Sequence, residues 1–402
     1  MKYFGWKVMV LLVFLFGGCT TTHMIHIGDV DKIANLDDKL SKAPLSVIYQ
    51  SHKHKKVSLS IIEFNEQGNF FEEKGKDNFK KILKFVEQRG RNQEIYIFTH
   101  GWKHNAQSND TNLKDFKNFL LKKGKNSNKM ITGIYLGWRG SSFNAGIFEN
   151  FTFWDRKNTS EDVGEGAITE VLIEIEKIQK RTHSSLVTIA HSLGSSVLIT
   201  ALKPLLTERF MAYKDDDSKP LRGYGNIVVL YNSAIEALKL KNLMLMVKDY
   251  EKKRGNKKAF ANQSYPIFVS ISGKNDWATN YVFPFGRFFA TVFETYETYN
   301  ERVLDRTTIG NNDEIQTHEI YLGRGSSIDK LAINKKPSFT KYHNNKIYFK
   351  DINLTIERVQ KGFHNRNPYW FMHDNQGKII IEHNKINNKE LTILLDKILY
   401  KK

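Results

Sequence analysis

The sequence predicts an α/β protein with a mostly parallel, doubly wound sheet and helices on both faces. Residues 185–189 form an apolar, β-branched run, as in strands that are buried on both faces. Apolar residues at helical spacing follow from 195 to 202, and residues 94–98 form a second such strand. A chain of 402 residues with 40% hydrophobic content can bury a large core.

The N-terminus has the pattern of an export signal. Lys2 and Lys7 flank the start of a short apolar run, residues 8–16, which has the length of a signal core and is too short to span a bilayer. Cys19, the single cysteine of the chain, follows two glycines and resembles the modified residue of a bacterial lipobox. We predict a lipoprotein signal peptide at 1–18 and a lipid on Cys19. An ordinary signal peptide with an incidental cysteine is the alternative.

This resemblance implies an exported lipoprotein, anchored in the outer membrane or cell envelope of a bacterium. Residues 19–43 are polar and lack clear periodicity, so we predict a tether there. The remainder, 44–402, is predicted as one domain. Its sheet begins with strands at 44–49 and 56–64, and an amphipathic helix follows at 77–90.

The formal net charge of +18 indicates an anionic surface as a neighbour. The charges are scattered, however, and no nucleic-acid-binding signature accompanies them. We therefore expect a solvated basic face and no nucleic-acid partner. No Cys/His cluster has zinc-ligand spacing, and no glycine-rich loop follows the first strand. The sequence thus predicts neither a metal nor a cofactor.

A sharp strand-to-helix turn falls at Ala190-His191-Ser192-Leu193-Gly194. This is the pattern of a nucleophile elbow, with alanine in place of the usual first glycine. The serine of an elbow has a strained backbone, and small residues two positions away clear the neighbouring strand and helix. The N-terminus of the following helix favours negative charge at the serine oxygen. We therefore predict Ser192 as a nucleophile.

The second chemical stretch is His100-Gly101-Trp102, directly after the strand at 94–98. A strand that ends in His-Gly is one way to build half of an oxyanion hole. We predict that the backbone N–H groups of Trp102 and Leu193 stabilise an oxyanion. His100 is predicted to brace the loop, and Gly101 to let the backbone approach the substrate closely.

These motifs together resemble the α/β-hydrolase superfamily, in a lipase/esterase-like branch of largely uncharacterised bacterial proteins. His104-Asn105, the strand end at 137–140 and the stretch 152–157 are similar to that branch as well. The resemblance covers nearly everything from about residue 45 onward. It implies an α/β-hydrolase fold with lid-like and cap-like insertions.

Two long connections are the predicted insertions. The first, at about 140–163, is rich in aromatic residues: Phe143, Phe148, Phe151, Phe153 and Trp154. Two interpretations are open. The segment lies over the active site as a lid or acyl-binding wall, or it is a packed loop whose aromatic residues fill the core. The second, at about 279–366, begins with phenylalanines and continues through Lys- and Asn-rich sequence. We expect it near the mouth of the site, as part of the substrate pocket.

The resemblance implies a catalytic triad in the order serine, acid, histidine. Asp276 follows the predicted strand at 266–272 and is the favoured acid, with the task of orienting the histidine. Glu236, after the preceding strand, is the alternative. If Asp276 has no catalytic role, we expect it to be a surface aspartate that caps a helix.

The same order restricts the triad histidine to the last part of the chain. Five histidines follow the predicted acid: His318, His343, His364, His373 and His383. His383 is favoured because it lies just before a predicted final helix at 388–399. His373, at the end of the predicted last strand 368–372, is the alternative.

The sequence therefore predicts a serine hydrolase of the esterase, lipase or thioesterase type. Ser192, Asp276 and His383 would form the triad, and the substrate would be a small-molecule or lipid acyl ester cleaved through an acyl-enzyme. The membrane is an expected partner through the lipid anchor, and no obligate protein partner is evident. The alternative is a non-catalytic envelope lipoprotein that uses the fold as a binding or scaffold module.

Overall fold

The chain has a mixed α/β architecture built around one sheet. The computed structural model describes residues 23–40, 45–141, 152–255, 258–323, 346–349, 353–359 and 366–384, with 394 and 398. The strands of this part are β1 (Ala34–Asn35), β2 (Ile48–Gln50), β3 (Val57–Glu63), β4 (Glu94–Thr99), β5 (Ile131–Gly137), β6 (Ser185–His191), β7 (Ile227–Tyr231), β8 (Phe268–Gly273), β9 (His318–Leu322), β10 (Lys346–Phe349), β11 (Leu354–Arg358) and β12 (Tyr369–Asp374).

Helices connect most of these strands. The α-helices of the described ranges are α1 (Glu72–Gln88), α2 (Thr111–Asn126), α3 (Thr152–Glu165), α4 (Ile168–Arg181), α5 (Gly194–Asp215), α6 (Lys241–Arg254), α7 (Phe283–Ala290) and α8 (Tyr299–Arg306). A π-turn at Ala278–Val282 leads into α7, and a short 3₁₀ turn lies at Ile309–Asn311. The predicted strand–helix alternation is confirmed.

The strand order in the sheet is β1-β2-β3-β5-β4-β6-β7-β8-β12-β9-β11-β10. From β3 across to β9 every neighbouring pair is parallel. Antiparallel pairs occur only towards the two edges of the described sheet, between β2 and β3 and among β9, β11 and β10. The sheet is therefore mostly parallel, as predicted.

Alternating side chains of the central strands serve two separate cores. In β4, Ile95 and Ile97 pack in the same cluster as the apolar residues of α1, α4 and α5. Tyr96 and Phe98, which point to the other face, pack with those of α2. Because successive side chains of a strand point to opposite faces, a strand covered on both sides is apolar throughout. This explains why the buried strands are continuous apolar runs, and it puts helices on both faces of the sheet.

The parallel register brings the carboxyl ends of the central strands to one edge of the sheet. Thr99 of β4 is paired with Ala190 of β6, and His191 with Tyr231 of β7. At the other side of this edge, β8 and β12 end together. Loops that follow parallel strands therefore converge here, which is where open α/β sheets bind ligands.

The prediction of a tether is wrong for residues 23–40. This segment adds the short strand β1 to the sheet, parallel to β2. Both ring nitrogens of the buried His26 lie 2.7 Å from backbone oxygens, one of Ser46 and one of Ala106. Leu36 and Leu40 enter the core on the α2 face. The few apolar side chains of this polar segment are far apart in sequence, so no periodicity revealed their burial.

The second predicted insertion divides into two parts with different roles. Its first part, from 279 to 311, forms helices α7 and α8 after β8. Its second part supplies β9, β10 and β11, which extend the sheet beyond β12 and so are not a cap. In β9 buried and partly buried residues alternate, as expected of a strand near a sheet edge.

Some predicted features lie outside the described residues. Among the aromatic residues of the first insertion these are Phe143, Phe148 and Phe151, whereas Phe153 and Trp154 belong to α3. The predicted final helix at 388–399 is described only at Leu394 and Ile398, which are helical and buried. Cys19 and the predicted signal peptide also lie outside.

We predict that Leu36→Ala destabilises the protein by about 2–4 kcal/mol, because it removes a fully buried side chain from the core. Urea unfolding monitored by circular dichroism measures this change. Ile33→Ala is the matched control, since Ile33 belongs to the same segment but is 46% exposed, and it should change stability by less than about 0.5 kcal/mol. Equal effects of the two substitutions would contradict the packing of this segment.

Candidate active site

Ser192 lies at the turn between β6 and α5, with a strained backbone. Its φ of +53° is in the left-handed region, which non-glycine residues rarely adopt. Gly194 and Gly101, which lie on the two segments that meet at Ser192, permit very close backbone contacts. A Cβ atom on Gly194 would lie 2.4 Å from the backbone oxygen of Thr99, and one on Gly101 would lie 2.6 Å from the Ser192 Cβ. The turn therefore presses Ser192 against the loop that follows β4.

A hydrogen-bonded chain joins three side chains from different loops. The Ser192 Oγ lies 2.8 Å from Nε2 of His383, and Nδ1 of the same ring lies 2.8 Å from Oδ1 of Asp276. Ser192 follows β6, Asp276 follows β8 and His383 follows β12, so the carboxyl edge of the sheet assembles all three. The serine hydroxyl can donate to Nε2 while Nδ1–H donates to the carboxylate.

Asp276 is fully buried and is held by further hydrogen bonds. The backbone N–H and the hydroxyl of Thr279 donate to the two carboxylate oxygens, at 3.2 and 2.6 Å. The Asn311 side chain donates in turn to the Thr279 hydroxyl, at 2.9 Å. The carboxylate thus has one fixed orientation, with Oδ1 towards His383 and Oδ2 towards Thr279.

The backbone amides of Leu193 and Trp102 lie on the two segments that meet at Ser192. Leu193 precedes the first turn of α5, and Trp102 follows Gly101. Within the described part of the chain, neither amide donates a hydrogen bond to a backbone or side-chain acceptor. Two unpaired N–H groups beside a serine hydroxyl are suited to binding an oxygen that gains negative charge.

His100 links the loop after β4 to the residue that follows β5. Its Nε2 accepts a hydrogen bond from the Trp138 backbone N–H at 3.0 Å, and its ring stacks on the Trp138 indole at 5.4 Å. The other ring nitrogen lies 3.0 Å from the Gly101 oxygen. Burial lowers the pKa of His100 to about 4, so the ring is neutral and Nδ1 carries the proton.

The alternative acid and histidine belong to other contacts. Glu236 is buried and forms ion pairs with Lys157 at 3.1 Å and Arg287 at 3.5 Å. His373 lies on β12, where its Nδ1 is 3.2 Å from both the Ser272 hydroxyl and the Gly310 oxygen. Neither side chain has a hydrogen bond to Ser192 among the described contacts. Glu236 instead joins α3 to α7.

Two residues that the sequence did not single out hold the backbone of His383. His191 Nε2 lies 2.8 Å from the His383 carbonyl oxygen, and the Asn232 side-chain amide donates to the same oxygen at 3.1 Å. Burial and the nearby His383 keep the pKa of His191 well below its usual value, so the ring is neutral. Its Nε2–H is therefore the donor. Each residue directly follows or ends a strand, but nothing local reveals a partner at least 150 residues away.

The described residues contain no group of three or more His, Cys, Asp or Glu side chains arranged to hold a metal ion. None of the helices in these ranges is both long and apolar enough to cross a bilayer.

Comparisons with known proteins include a similarity to a solved structure. No protein-family model matches the chain, and no curated protein matches it. The chain is similar to phospholipase PlaB from Legionella pneumophila, with 12% sequence identity and a TM-score of 0.27 over 67% of this chain and 50% of that chain. The chain thus spans about half the length of that phospholipase.

The neutral state of His100 makes the free energy of unfolding depend on pH. The pKa of this ring is about 4 in the folded protein, against about 6.5 in an unfolded chain. Between these values the unfolded chain binds a proton that the folded protein does not. The contribution of His100 to the free energy of unfolding is therefore complete above about pH 6.5. As the pH falls towards 4, on the order of 3 kcal/mol of that contribution is lost.

Urea titrations at several pH values measure this dependence. We predict that His100→Gln flattens the fall in stability between pH 6.5 and 4, whatever its effect at neutral pH. His183→Gln, at an exposed histidine, is the control and should leave the slope unchanged. An unaltered slope in His100→Gln would contradict the buried, neutral state of the ring.

Proposed function

We propose that this protein is a serine hydrolase with an α/β-hydrolase fold that cleaves acyl esters. The observation that carries the proposal is the hydrogen-bonded chain from the Ser192 hydroxyl through His383 to Asp276, with both distances at 2.8 Å. A serine hydroxyl is a weak nucleophile at neutral pH and needs an adjacent base, which in turn needs an orienting group. These three side chains have those roles.

In the proposed reaction His383 moves one proton in each of two steps. His383 Nε2 takes the Ser192 proton as Oγ attacks the acyl carbon, and then gives it to the alcohol oxygen as the C–O bond breaks. The acyl group remains on Ser192. Water then gives a proton to His383 and attacks the acyl carbon, and the Ser192 oxygen leaves with that proton. Throughout both steps the Asp276 carboxylate accepts a hydrogen bond from the Nδ1–H of His383, and it stabilises the imidazolium.

The oxyanion of both tetrahedral intermediates would be bound by backbone N–H groups. Leu193 and Trp102 offer such groups on the two segments that meet at Ser192, and neither is used within the described structure. The strained turn at Ser192 and the close approach of Gly101 fix the two segments before substrate arrives. Donors that are fixed in advance stabilise developing charge without reorganisation, and one such donor is typically worth about 3 kcal/mol.

In this proposal, the partly buried Trp102 and the buried aromatic residues behind it form an apolar wall of the site. The Trp102 ring meets the Phe153 ring edge-on at 5.1 Å, and Phe153 meets Phe283 at 6.3 Å. This cluster joins the loop after β4 to helices α3 and α7. An apolar wall beside an esterase centre favours an acyl chain over a charged substrate. The proposed substrate class is therefore a small-molecule or lipid acyl ester.

His191 and Asn232 are proposed as positioning residues, because they hold the backbone of His383 and do not touch the reacting atoms. Their two hydrogen bonds to one carbonyl oxygen fix the loop after β12 against the ends of β6 and β7. A general base that is displaced by about 1 Å can lose a hundredfold in rate.

The predicted lipid anchor is part of the same proposal. A lipid on Cys19 would attach the mature chain to a membrane of the cell envelope. The mass of the N-terminal peptide, released by protease from the mature protein, measures this modification. An unmodified Cys19 at the mature N-terminus would contradict the anchor and leave the hydrolase proposal untouched.

We predict that a fluorophosphonate probe labels Ser192 and that Ser192→Ala abolishes the label. Ser195→Ala is the matched control, since this nearby buried hydroxyl has no hydrogen-bond partner among the described residues and should not affect labelling. Gel fluorescence of the purified protein is the measurement. A folded protein without label would contradict the enzyme and favour the non-catalytic scaffold.

We predict that Asp276→Asn lowers kcat/KM for p-nitrophenyl esters by roughly ten-thousand-fold, because an amide no longer fixes the histidine tautomer. Circular dichroism should show a folded variant, since asparagine has the same shape. Activity within tenfold of the unsubstituted protein would exclude Asp276 as the acid.

We predict that His191→Leu slows fluorophosphonate labelling about tenfold, because the His383 carbonyl loses one of its two donors. His191→Gln should restore most of the rate, since its amide can donate from a position close to that of Nε2. A merely structural role would give the same loss in both variants, and that result would contradict positioning through the hydrogen bond.

A further inference from the structure

The segment from Trp277 to Phe293 presents an aromatic surface outwards. Its large exposed side chains are Trp277, Tyr281, Phe285, Phe288, Phe289, Val292 and Phe293. Most of these are separated by three or four positions, so they lie on one side of the π-turn and of α7. Phe293 is 97% exposed and Trp277 is 68% exposed within the described part of the chain. We call these seven residues the aromatic patch.

Helix α7 is inverted relative to an ordinary surface helix, because its charged and small residues face the protein. Arg287 points inwards and pairs with Asp305 at 2.6 Å and Glu236 at 3.5 Å. Gly286 lies against the Trp154 indole, so closely that a Cβ atom would be 2.2 Å from Nε1. The helix is therefore held by Arg287, by Gly286 and by the buried Phe283, which packs on Trp154. The aromatic patch is largely exposed in the described part of the chain, and exposed apolar surfaces of this kind mark interaction sites.

The aromatic patch belongs to a segment that is connected to two elements of the candidate active site. Trp277 directly follows Asp276 in the chain. At the other end, the buried Phe283 of α7 contacts Phe153, and Phe153 contacts Trp102 of the oxyanion loop. A surface that binds this patch would therefore lie at the mouth of the site.

Charge and residue type decide among the possible partners. The chain carries a net charge of +18, so two copies repel each other while an anionic phospholipid bilayer attracts the chain. Charges of both signs adjoin the patch, since Arg306 lies over the Phe288 ring at 5.0 Å and Glu294 directly follows Phe293, so the attraction comes from the whole chain. Tryptophan and tyrosine prefer the headgroup level of a bilayer, and phenylalanine enters its apolar boundary.

We propose that the aromatic patch docks on the surface of a bilayer that contains anionic phospholipid. Docking would bring the mouth of the site to the headgroup level, where acyl esters of membrane lipids are found. The statement about the mouth of the site rests on the proposed hydrolase, whereas the docking itself does not. The inference thus names the substrate class as acyl esters held in a bilayer.

A fluorescent label on the patch tests the docking directly. The full chain with Cys19→Ser, which removes its single cysteine, receives Phe293→Cys and a nitrobenzoxadiazole label. Met211→Cys, at a 38% exposed apolar residue on α5, is the matched control. Vesicles of phosphatidylcholine and phosphatidylglycerol in a 3:1 ratio should shift the emission to the blue at position 293 and not at 211. Brominated lipids should quench the label at 293 at least twofold more than the label at 211.

Three outcomes would overturn the docking. One is equal emission at both positions with vesicles. Another is a blue shift at 293 without vesicles that grows with protein concentration, which would indicate a second copy. The third is a shifted emission without vesicles at every concentration, which would mean that another part of the chain covers the patch.

Fluorophosphonate labelling of the Phe293→Cys protein, before attachment of the fluorophore, keeps the two proposals separate. Label on Ser192 without a blue shift would contradict docking alone. A vesicle-dependent blue shift without label on Ser192 would contradict the hydrolase alone, and docking would stand without the inferred substrate class.

Discussion

The site depends on one constraint, the close approach of two backbones at Ser192. The serine has a φ of +53°, and the loop after β4 contacts it across Gly101, where no Cβ atom fits. This contact joins the segment of the Ser192 hydroxyl to that of Trp102; the backbone N–H groups of Trp102 and Leu193 make no hydrogen bond within the described part of the chain. The strain at Ser192 is maintained by the buried strands on both sides, which over-determine the turn. A strained residue at the edge of a parallel sheet is a typical location of chemistry.

The histidine and its acid reach this place by a different route, because their loops are long and far apart in sequence. Buried polar contacts hold these long loops in place. The His383 carbonyl is held from β6 and β7, and the Asp276 carboxylate is held by Thr279, which Asn311 supports. Buried polar networks of this kind favour one arrangement of the loops. The Ser192 hydroxyl and the His383 imidazole are thus positioned from separate elements of one sheet.

Local features could be predicted from the sequence, and long-range ones could not. Most strands and the turn at Ser192 follow from short-range patterns. Chain order, together with a position after a predicted strand or before the predicted final helix, favoured Asp276 and His383. The structure brings both residues to hydrogen-bonding distance of their partners, and their catalytic roles stay predictions. Leu36 was missed because isolated apolar residues in a polar segment have no period. The strand role of β9–β11 and the contact of His191 with His383 depend on tertiary pairing, which local sequence does not encode.

The most direct measurement is the mass of the acyl-enzyme. The protein is mixed with a p-nitrophenyl ester, quenched in acid within the first turnover and digested. The account predicts one acyl group per chain, located on the peptide that contains Ser192, together with a matching burst of p-nitrophenol. Turnover without this adduct, or an adduct on another residue, would contradict Ser192 as the nucleophile.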